Sequence, residues 1–598
     1  MRRSRILAGL LPPLLALGLL ASTPRPAEAQ ITFFDERVEV SGYLDFLNIA
    51  RANDLSEDWH WVGNRMTLNV EVDIDLLGPS YTGPWDEAKL FFIVKPRYDF
   101  VYSFNSDDWG DSAKVGGVNN LKAGDGFGVH PDHIFRQRFP GTSFPLDVPY
   151  TPRFEVPRGA CPGNCNLSES DLAWGRTDTN PTYPLREFYL DAKRGDWAFR
   201  IGKQQVVWGK TDFFRLQDVI NPVDYGVHSF LDGLEDIRIP QWMITSTYKF
   251  HDIGFMKDAS LELVWNVDRY SPLGLGQAGE PWAHIFGEEI KAFARFFPTY
   301  GVGLQKTNLP AWTLKNTQYG GRFEFLLGRV RVAISDYYRF QDVPVFQLVR
   351  DFTRQGGNPG ALLLPPDQRM GPLGLGGGVF EIIFPRVNIA GISLDYFEEV
   401  TQTVWRVEAT YTSNEDFVNT LSPNHVSESD VIRWSVGVDR QTFIRFLNPT
   451  RSFFLSAQIF VTHILDHEER NVLVEPGDPN SGLIDAGYIN WDDDVTATFF
   501  FLGWYLQDRL ILQGFTAYQF QADATASGLQ FEYLLTDNWS LKVGAHVIGG
   551  ERHTFDNRPF QAFAGGDGET ENYYAAARES FGADRDRDEV FFAFRYRF

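Results

Sequence analysis

From Val590 to Phe598 the chain reads V-F-F-A-F-R-Y-R-F. Val590, Phe592, Phe594, Tyr596 and Phe598 share one face at period two, while Arg595 and Arg597 share the other with Phe591 and Ala593. Successive side chains of a strand point to opposite faces, so the segment predicts a strand that is greasy on one side and charged on the other. The pattern recurs. Met66, Leu68, Val70, Val72, Ile74 and Leu76 oppose Thr67, Asn69, Glu71, Asp73 and Asp75. Trp405, Val407, Ala409 and Tyr411 oppose Arg406, Glu408 and Thr410, and Trp434, Val436 and Val438 oppose Arg433, Ser435 and Asp439. Soluble sandwiches alternate too. Charges on so many second positions beside Trp and Phe fit a wall between lipid and water better.

Beyond the N-terminal region no stretch is apolar for long enough to cross a bilayer as a helix. Backbone groups in hydrocarbon need internal partners, which leaves a closed barrel. About eighteen alternating segments are legible, with sixteen as the alternative because those near residues 88 and 388 are less regular. The expected fold is therefore all-β, a transmembrane antiparallel β-barrel. Links near Lys193–Asp196, Gly328, Gln507-Asp508 and Thr536–Asn538 are short, whereas those near 104–183, 208–240, 269–316, 341–387, 412–430, 465–494 and 549–588 are long. Short periplasmic turns and long extracellular loops give this rhythm. Loops of that length are uncommon without a task, and some are expected to fold inward and narrow the lumen.

At the N-terminus Arg2, Arg3 and Arg5 precede an apolar stretch from Ile6 to Leu20, and Ala27-Glu28-Ala29 offers small residues for cleavage. Residues 1–29 thus read as a signal peptide and 30–598 as a single outer-membrane β-barrel domain. The formal charge is −23 over the chain, and nearer −26 without the arginine-rich leader. That acidity excludes nucleic acid as a partner. It suits large solvated loops, or loops that share divalent cations with lipopolysaccharide. Aromatic residues make up 15%, with 51 Phe, more than a core needs and in keeping with a lipid-facing surface.

Motifs for chemistry are sparse. Cys161 and Cys165, in C-P-G-N-C, suit a small loop disulfide in an oxidising compartment and lack the further ligands of a zinc site. His130 and His133 flank a proline with no third ligand near. Asp584, Asp586 and Asp588 alternate with arginines and are followed by Glu589 where a calcium loop needs Gly, so they read as a charge-paired loop base. Gly209-Lys210-Thr211 lacks the upstream Gly of a phosphate loop, since position 204 is Gln. There is no G-x-S-x-G, and His463 reads as a strand residue. No metal, cofactor or enzymatic activity is expected.

The most distinctive stretch is R-I-G-K-Q-Q-V-V-W-G-K-T-D-F-F-R-L-Q-D-V-I-N-P-V-D, Arg200 to Asp224. Trp197, Phe199 and Ile201 begin a strand face, but Lys203 and Gln205 then fall where lipid is expected. A charge at the midplane costs about 2–4 kcal/mol, so a bulge near Gly202, or an early strand end, is expected. The stretch resembles a proteobacterial outer-membrane β-barrel family classed as a domain of unknown function, porin-like, with R-x-G-x-Q-x-x-x-W-G and later I-N-P-x-D. Here these are Arg200, Gly202, Gln204, Trp208 and Gly209, then Ile220, Asn221, Pro222 and Asp224. A related segment runs from Trp434 to Arg451. The terminal Phe598, with Phe594 and Tyr596, resembles the C-terminal signature that the barrel-assembly machinery reads. Lys210-Thr211 departs from the Glu-Ser of the family pattern. The resemblance implies a large barrel for uptake or export of hydrophobic compounds, and it carries no established site.

Pore or lumen candidates follow from strand phase and from that motif: Arg200, Lys203, Gln204, Trp208, Lys210, Asp212, Arg322, Glu324, Arg406, Glu408, Arg433, Asp439 and Arg595. They suit either a charged ladder for a permeating solute or ion pairs that brace the wall and pin infolded loops. Trp208 with Phe213 and Phe214 offers a low-polarity patch. The expected function is an outer-membrane channel for small, hydrophobic or amphipathic solutes, passed by diffusion through a loop-constricted lumen. The alternative is a structural or adhesive barrel that binds a partner through acidic extracellular loops. Expected partners are outer-membrane lipid, lipopolysaccharide and a small-molecule solute.

Overall fold

A computed structural model describes residues 31–34, 36–53, 57–78, 80–104, 169–175, 183–212, 214–226, 228, 231–274, 281–282, 303–351, 378–473, 479, 483–550, 578, 582, 584–585 and 587–598. Eighteen strands form one closed antiparallel sheet. In chain order they are β1 (Val38–Asn53), β2 (Glu57–Asp75), β3 (Glu87–Val94), β4 (Leu185–Arg194), β5 (Trp197–Gln204) and β6 (Gln241–Ile253). Next come β7 (Met256–Asn266), β8 (Gln318–Leu327), β9 (Val330–Phe340), β10 (Arg386–Glu398), β11 (Thr403–Val418) and β12 (Val426–Thr442). The last six are β13 (Phe453–Ile464), β14 (Asp493–Tyr505), β15 (Leu510–Gln519), β16 (Ala524–Leu534), β17 (Trp539–Gly550) and β18 (Asp588–Arg597).

Each strand pairs with its sequence neighbours, and β18 closes the ring on β1, with Tyr43 opposite Arg597 and Ala52 opposite Asp588. Phe598 extends the seam, exchanging backbone hydrogen bonds with Gly42 at 3.0 Å in both directions. Closure leaves no unpaired edge. The two segments with weak alternation are both strands, which settles eighteen over sixteen. β3 alternates weakly because Leu90–Val94 is apolar at every position; beyond it Pro96, which has no N–H to donate, breaks the ladder, and Arg97–Asp99 resumes the pairing along β2.

The surface is inside out for a soluble protein. Trp265, Ile334, Ile392, Trp405, Trp434, Phe499 and Val543 are exposed on the outer face. Asn69, Ser335, Ser393, Glu408, Ser435, Gln458 and Thr498, at the opposite phase, are buried. The outward belt faces lipid and the polar phase faces the lumen, as an outer-membrane barrel requires. No helix among the described residues is long and apolar enough to cross a membrane.

At one end the links 195–196, 254–255, 328–329, 399–402, 506–509 and 535–538 are short. The opposite end carries the long connections, including 205–240 and 267–317. Five links break the rhythm: 76–86 and 443–452 are longer than the other turns, and 54–56, 419–425 and 520–523 are short at the loop end, most of the long link expected near 412–430 being strand. Two small sheets lie in long connections: Gly303–Asn308, Gly378–Ile383 and Val345–Asp351, and Glu469–Leu473 with Leu483–Gly487. Residues 1–29, Cys161, Cys165, His130 and His133 lie outside the described residues.

The bulge expected near Gly202 is absent. Register runs unbroken from Arg194↔Trp197 to Phe188↔Lys203 on one side of β5, and to Gln204↔Gln241 on the other. The phase changes through the backbone of Gly202 itself, at φ 143°. A Cβ there would stand 2.2 Å from the Phe188 carbonyl oxygen and 2.6 Å from Tyr189 Cα. The two residues that broke the pattern are thereby served: the Lys203 ammonium donates to the Leu185 carbonyl at 2.8 Å, and Gln205 donates to Glu187 at 2.9 Å. Gly202→Ala is expected to lower stability by at least about 1–3 kcal/mol, the strain of a disallowed backbone plus the clash. Gly195→Ala, in an open turn at φ 57° with nothing near its would-be Cβ, is expected to cost only about 1–2 kcal/mol. Urea unfolding of the two variants in detergent checks the order.

Candidate functional site

The connection 205–240 does not stay at the rim. It leaves β5, crosses the lumen, touches strands on the far side and returns to β6. Val206 and Trp208 start the crossing, packed with Ile220, Met243, Val264 and Tyr337. The Trp208 indole N–H donates to Glu262 of β7 at 3.1 Å, and its ring meets Tyr337 of β9 edge-on. Trp208 is almost fully buried, so it anchors the crossing and forms no open low-polarity patch. Phe214 packs on Phe460 of β13 and on the alanines 517, 522, 524 and 526. Phe213 lies outside the described residues.

Between these aromatic anchors the contacts are ionic. The Lys210 ammonium pairs with Asp395 of β10, and its backbone N–H donates to Glu408 of β11. Asp212 takes the Arg406 guanidinium at 2.6 Å and is also bonded by Gln458. Arg406 reaches on to Asp439 of β12 at 2.8 Å and donates to the Lys210 carbonyl. Lys210, where the family pattern suggests an acid, is thus matched by an acid on the wall. Phase placed Arg406, Glu408 and Asp439 on the inner face, and the structure brings them to the two motif residues that meet them.

The return leg is held as tightly. Ser335 of β9 donates to Gln217 at 3.2 Å, and Arg339 donates to the Val219 carbonyl. Asp218 is gripped by Arg238 at 2.7 Å and Arg215 at 3.2 Å. Asn221 is fully buried and acts as a clasp between the two legs. Its side-chain oxygen accepts from Val206 N–H at 2.8 Å, and its amide donates to the carbonyls of Gln204 at 3.2 Å and Ile239 at 3.0 Å. The second Asn-Pro does similar work in a wall turn, where Asn448 accepts from the N–H groups of Thr450 and Arg451.

Other sequence candidates sit in the wall. Arg200 pairs with Asp191 at 2.7 Å and stacks on Tyr189. Arg322 binds Glu324, which also takes Arg331 at 2.6 Å. Arg433 holds Glu415 at 2.7 Å. Arg595 lies over the Tyr43 ring and pairs with Asp45 at 3.3 Å. Lys203 and Gln204 are buried; Gln204 donates to the Met243 carbonyl at 2.9 Å. Arg587 pairs with Asp584 at 2.7 Å, and His463 is on β13, bonded to Asp493.

Between the crossing segment and the wall of β1, β2 and β15–β18 lies a cavity of about 550 Å³. Asp212 and Arg595 border it; the other sequence candidates do not. Its apolar shelf is Leu47, Phe515 and Phe591, and its cations include Arg97, Arg186 and Lys542. At its edge the segment meets the wall again. His228 donates to the Asp232 carboxylate at 2.7 Å and to the Glu589 carboxylate at 2.8 Å, and His546 donates to the same Glu589 oxygen at 2.6 Å. Burial opposes a charge on His228, but the Glu589 and Asp232 carboxylates outweigh it and raise its pKa to about 9. Burial likewise opposes charge on Asp232, yet His228, Arg65 and Arg97 hold its pKa below the usual carboxylate range. Phase alone marks His546 and Glu589 as inward; nothing local marks His228 as meeting the wall, since its wall partner Glu589 is 361 residues away. Asn221→Ala strips three partners at once, and is expected to cost about 1–3 kcal/mol of stability by urea unfolding. Asn388→Ala, removing one exposed bond to Asp336, is expected to cost under about 1 kcal/mol in the same measurement.

No curated protein matches the chain. Among solved structures, OccK5 (OpdH) of Pseudomonas aeruginosa is similar at 7% identity and TM-score 0.38, covering 95% of this chain and 99% of its own. OccAB4 of Acinetobacter baumannii is similar at 8% identity and TM-score 0.41, covering 95% and 98%. A BenF-like porin from Pseudomonas fluorescens Pf-5 is similar at 10% identity and TM-score 0.41, covering 94% and 99%. One family model matches nearly the whole barrel, residues 51–598, and the chain therefore belongs to the family described as protein of unknown function, DUF1302.

Proposed function

We propose that the protein is a passive outer-membrane channel for small amphipathic solutes, with the 205–240 segment as its constriction. The observation that carries this reading is the segment itself. It spans a lumen that eighteen strands would otherwise leave wide, and its contacts run from Glu262 of β7 through Arg406 of β11 to the alanines of β15 and β16, about half the ring away. The bracing and ladder readings of the inward charges combine here. Arg406, Asp439, Glu408 and Lys210 fix the segment, and the fixed segment sets the width.

The cavity supports the solute class. Arg97, Arg186 and Lys542 border it, next to the Leu47, Phe515 and Phe591 shelf, and none of the three forms a salt bridge among the described residues. A solute with an apolar body and an anionic head meets both surfaces. No lid or energy-coupling element is needed for diffusion down a gradient; width and charge select.

Planar-bilayer conductance and liposome swelling with purified protein test the proposal. Wild type is expected to show small, discrete conductance steps. Arg406→Ala, which releases Asp212 and Asp439 together, is expected to raise step size or noise with the barrel still heat-modifiable. Arg186→Ala combined with Lys542→Ala is expected to shift the reversal potential toward cation selectivity. Absence of both conductance and solute flux in wild type and in Arg406→Ala overturns the reading.

A further inference from the structure

We propose that His228, His546 and Glu589 form a transition-metal site, best suited to Zn²⁺, that staples the crossing segment to β17 and β18. The three donors come from remote parts of the chain, and their ligand atoms all lie within 4.8 Å of one another. All three residues are buried. Two imidazoles and a carboxylate are a familiar zinc donor set, and zinc accepts a water as a further ligand.

The hydrogen bonding points to a cation at the centre. His228 Nε2 and His546 Nδ1 both converge on one oxygen of Glu589, at 2.8 and 2.6 Å. The other oxygen, Oε2, is buried and has no hydrogen-bond partner among the described residues. A buried carboxylate oxygen left unpaired is costly. A divalent ion bound by both carboxylate oxygens removes that cost. It requires the imidazole nitrogens to back away from Oε1 by less than about 1 Å, since zinc holds nitrogen and oxygen at roughly 2.0–2.2 Å each.

The surroundings fit the same reading. His228 gives its other ring nitrogen to Asp232 at 2.7 Å, the carboxylate–histidine arrangement that fixes the tautomer and leaves Nε2 as the ligand. Arg65 stands 3.9 Å behind Asp232 and 3.1 Å from Asp99, which holds the carboxylate in place. The Trp282 ring packs edge-on against His228, and the Phe591 ring lies against His546, fixing both imidazoles. His228, Asp232 and His546 border the cavity, so water and an entering ion have a path. The proposal is independent of the transported solute: the site joins segment to wall whatever passes.

The test uses the full barrel folded in detergent, stripped with a chelator and titrated with Co²⁺ and Zn²⁺ at mildly alkaline pH. Wild type is expected to bind one ion per chain, with visible ligand-field bands for Co²⁺ and two imidazole ligands by X-ray absorption. His228→Ala and His546→Ala are expected to lose the ion, and Asp232→Asn to bind about 10–100-fold more weakly. His463→Ala and His251→Ala, at exposed His–Asp pairs, are expected to bind as wild type does. Heat-modifiable migration confirms that each variant folds. Where an alanine variant does not fold, Glu589→Gln and the X-ray absorption of wild type decide. Failure of wild type to bind a stoichiometric ion, or binding that survives both histidine substitutions, overturns the site. The triad is then two histidine ring nitrogens sharing one Glu589 oxygen through hydrogen bonds.

Discussion

The pairing of β1 with β18 is the contact on which the rest depends. In hydrocarbon no water is present to satisfy a stray N–H or carbonyl, so an open sheet of this size has no stable place in a bilayer. Ten register pairs from Tyr43↔Arg597 to Ala52↔Asp588 remove both edges at once. Once the ring is shut, every strand has a lipid phase and a lumen phase, and each side chain's environment follows from its parity.

Closure creates a second problem, a wide lumen lined with charge. The 205–240 segment answers it with two kinds of anchor. Apolar ones, Trp208 and Phe214, lie on different parts of the wall, and ionic ones, Lys210–Asp395 and Asp212–Arg406–Asp439, lie between them. Buried charges tolerate removal from water only when paired and hydrogen-bonded. The inward charges are therefore matched to particular residues of the segment, and a segment so matched has one position. A fixed position is what turns a connecting loop into a constriction with defined width and charge.

The Gly202 region shows how local chemistry serves that arrangement. β5 must deliver its last residues to the crossing without losing a ladder bond. A bulge would do so by adding a residue; a glycine at φ 143° does it with the register intact. The hydrophobic pattern reported the change of phase correctly, but both devices leave the same trace in it. The difference lies in backbone torsion, which residue type constrains and does not dictate. The same ambiguity attaches to Trp208. Its polarity suits an open patch and a buried anchor equally well, and only the partners Glu262 and Tyr337 separate the two.

The barrel, its strand number to within one hairpin, the inward phase of Arg406, Glu408, Asp439 and Arg595, and the unusual nature of residues 200–224 are legible in the order of residues alone. These rest on period-two alternation and on link length, both local properties. Which inward groups meet is a matter of the folded ring. Lys210 and Asp395, Asn221 and the two legs it clasps, and His228 with His546 and Glu589 are separated by up to hundreds of residues. Their encounter depends on the curvature of a closed ring and on the path of one infolded segment, and neither leaves a periodic signal in the chain.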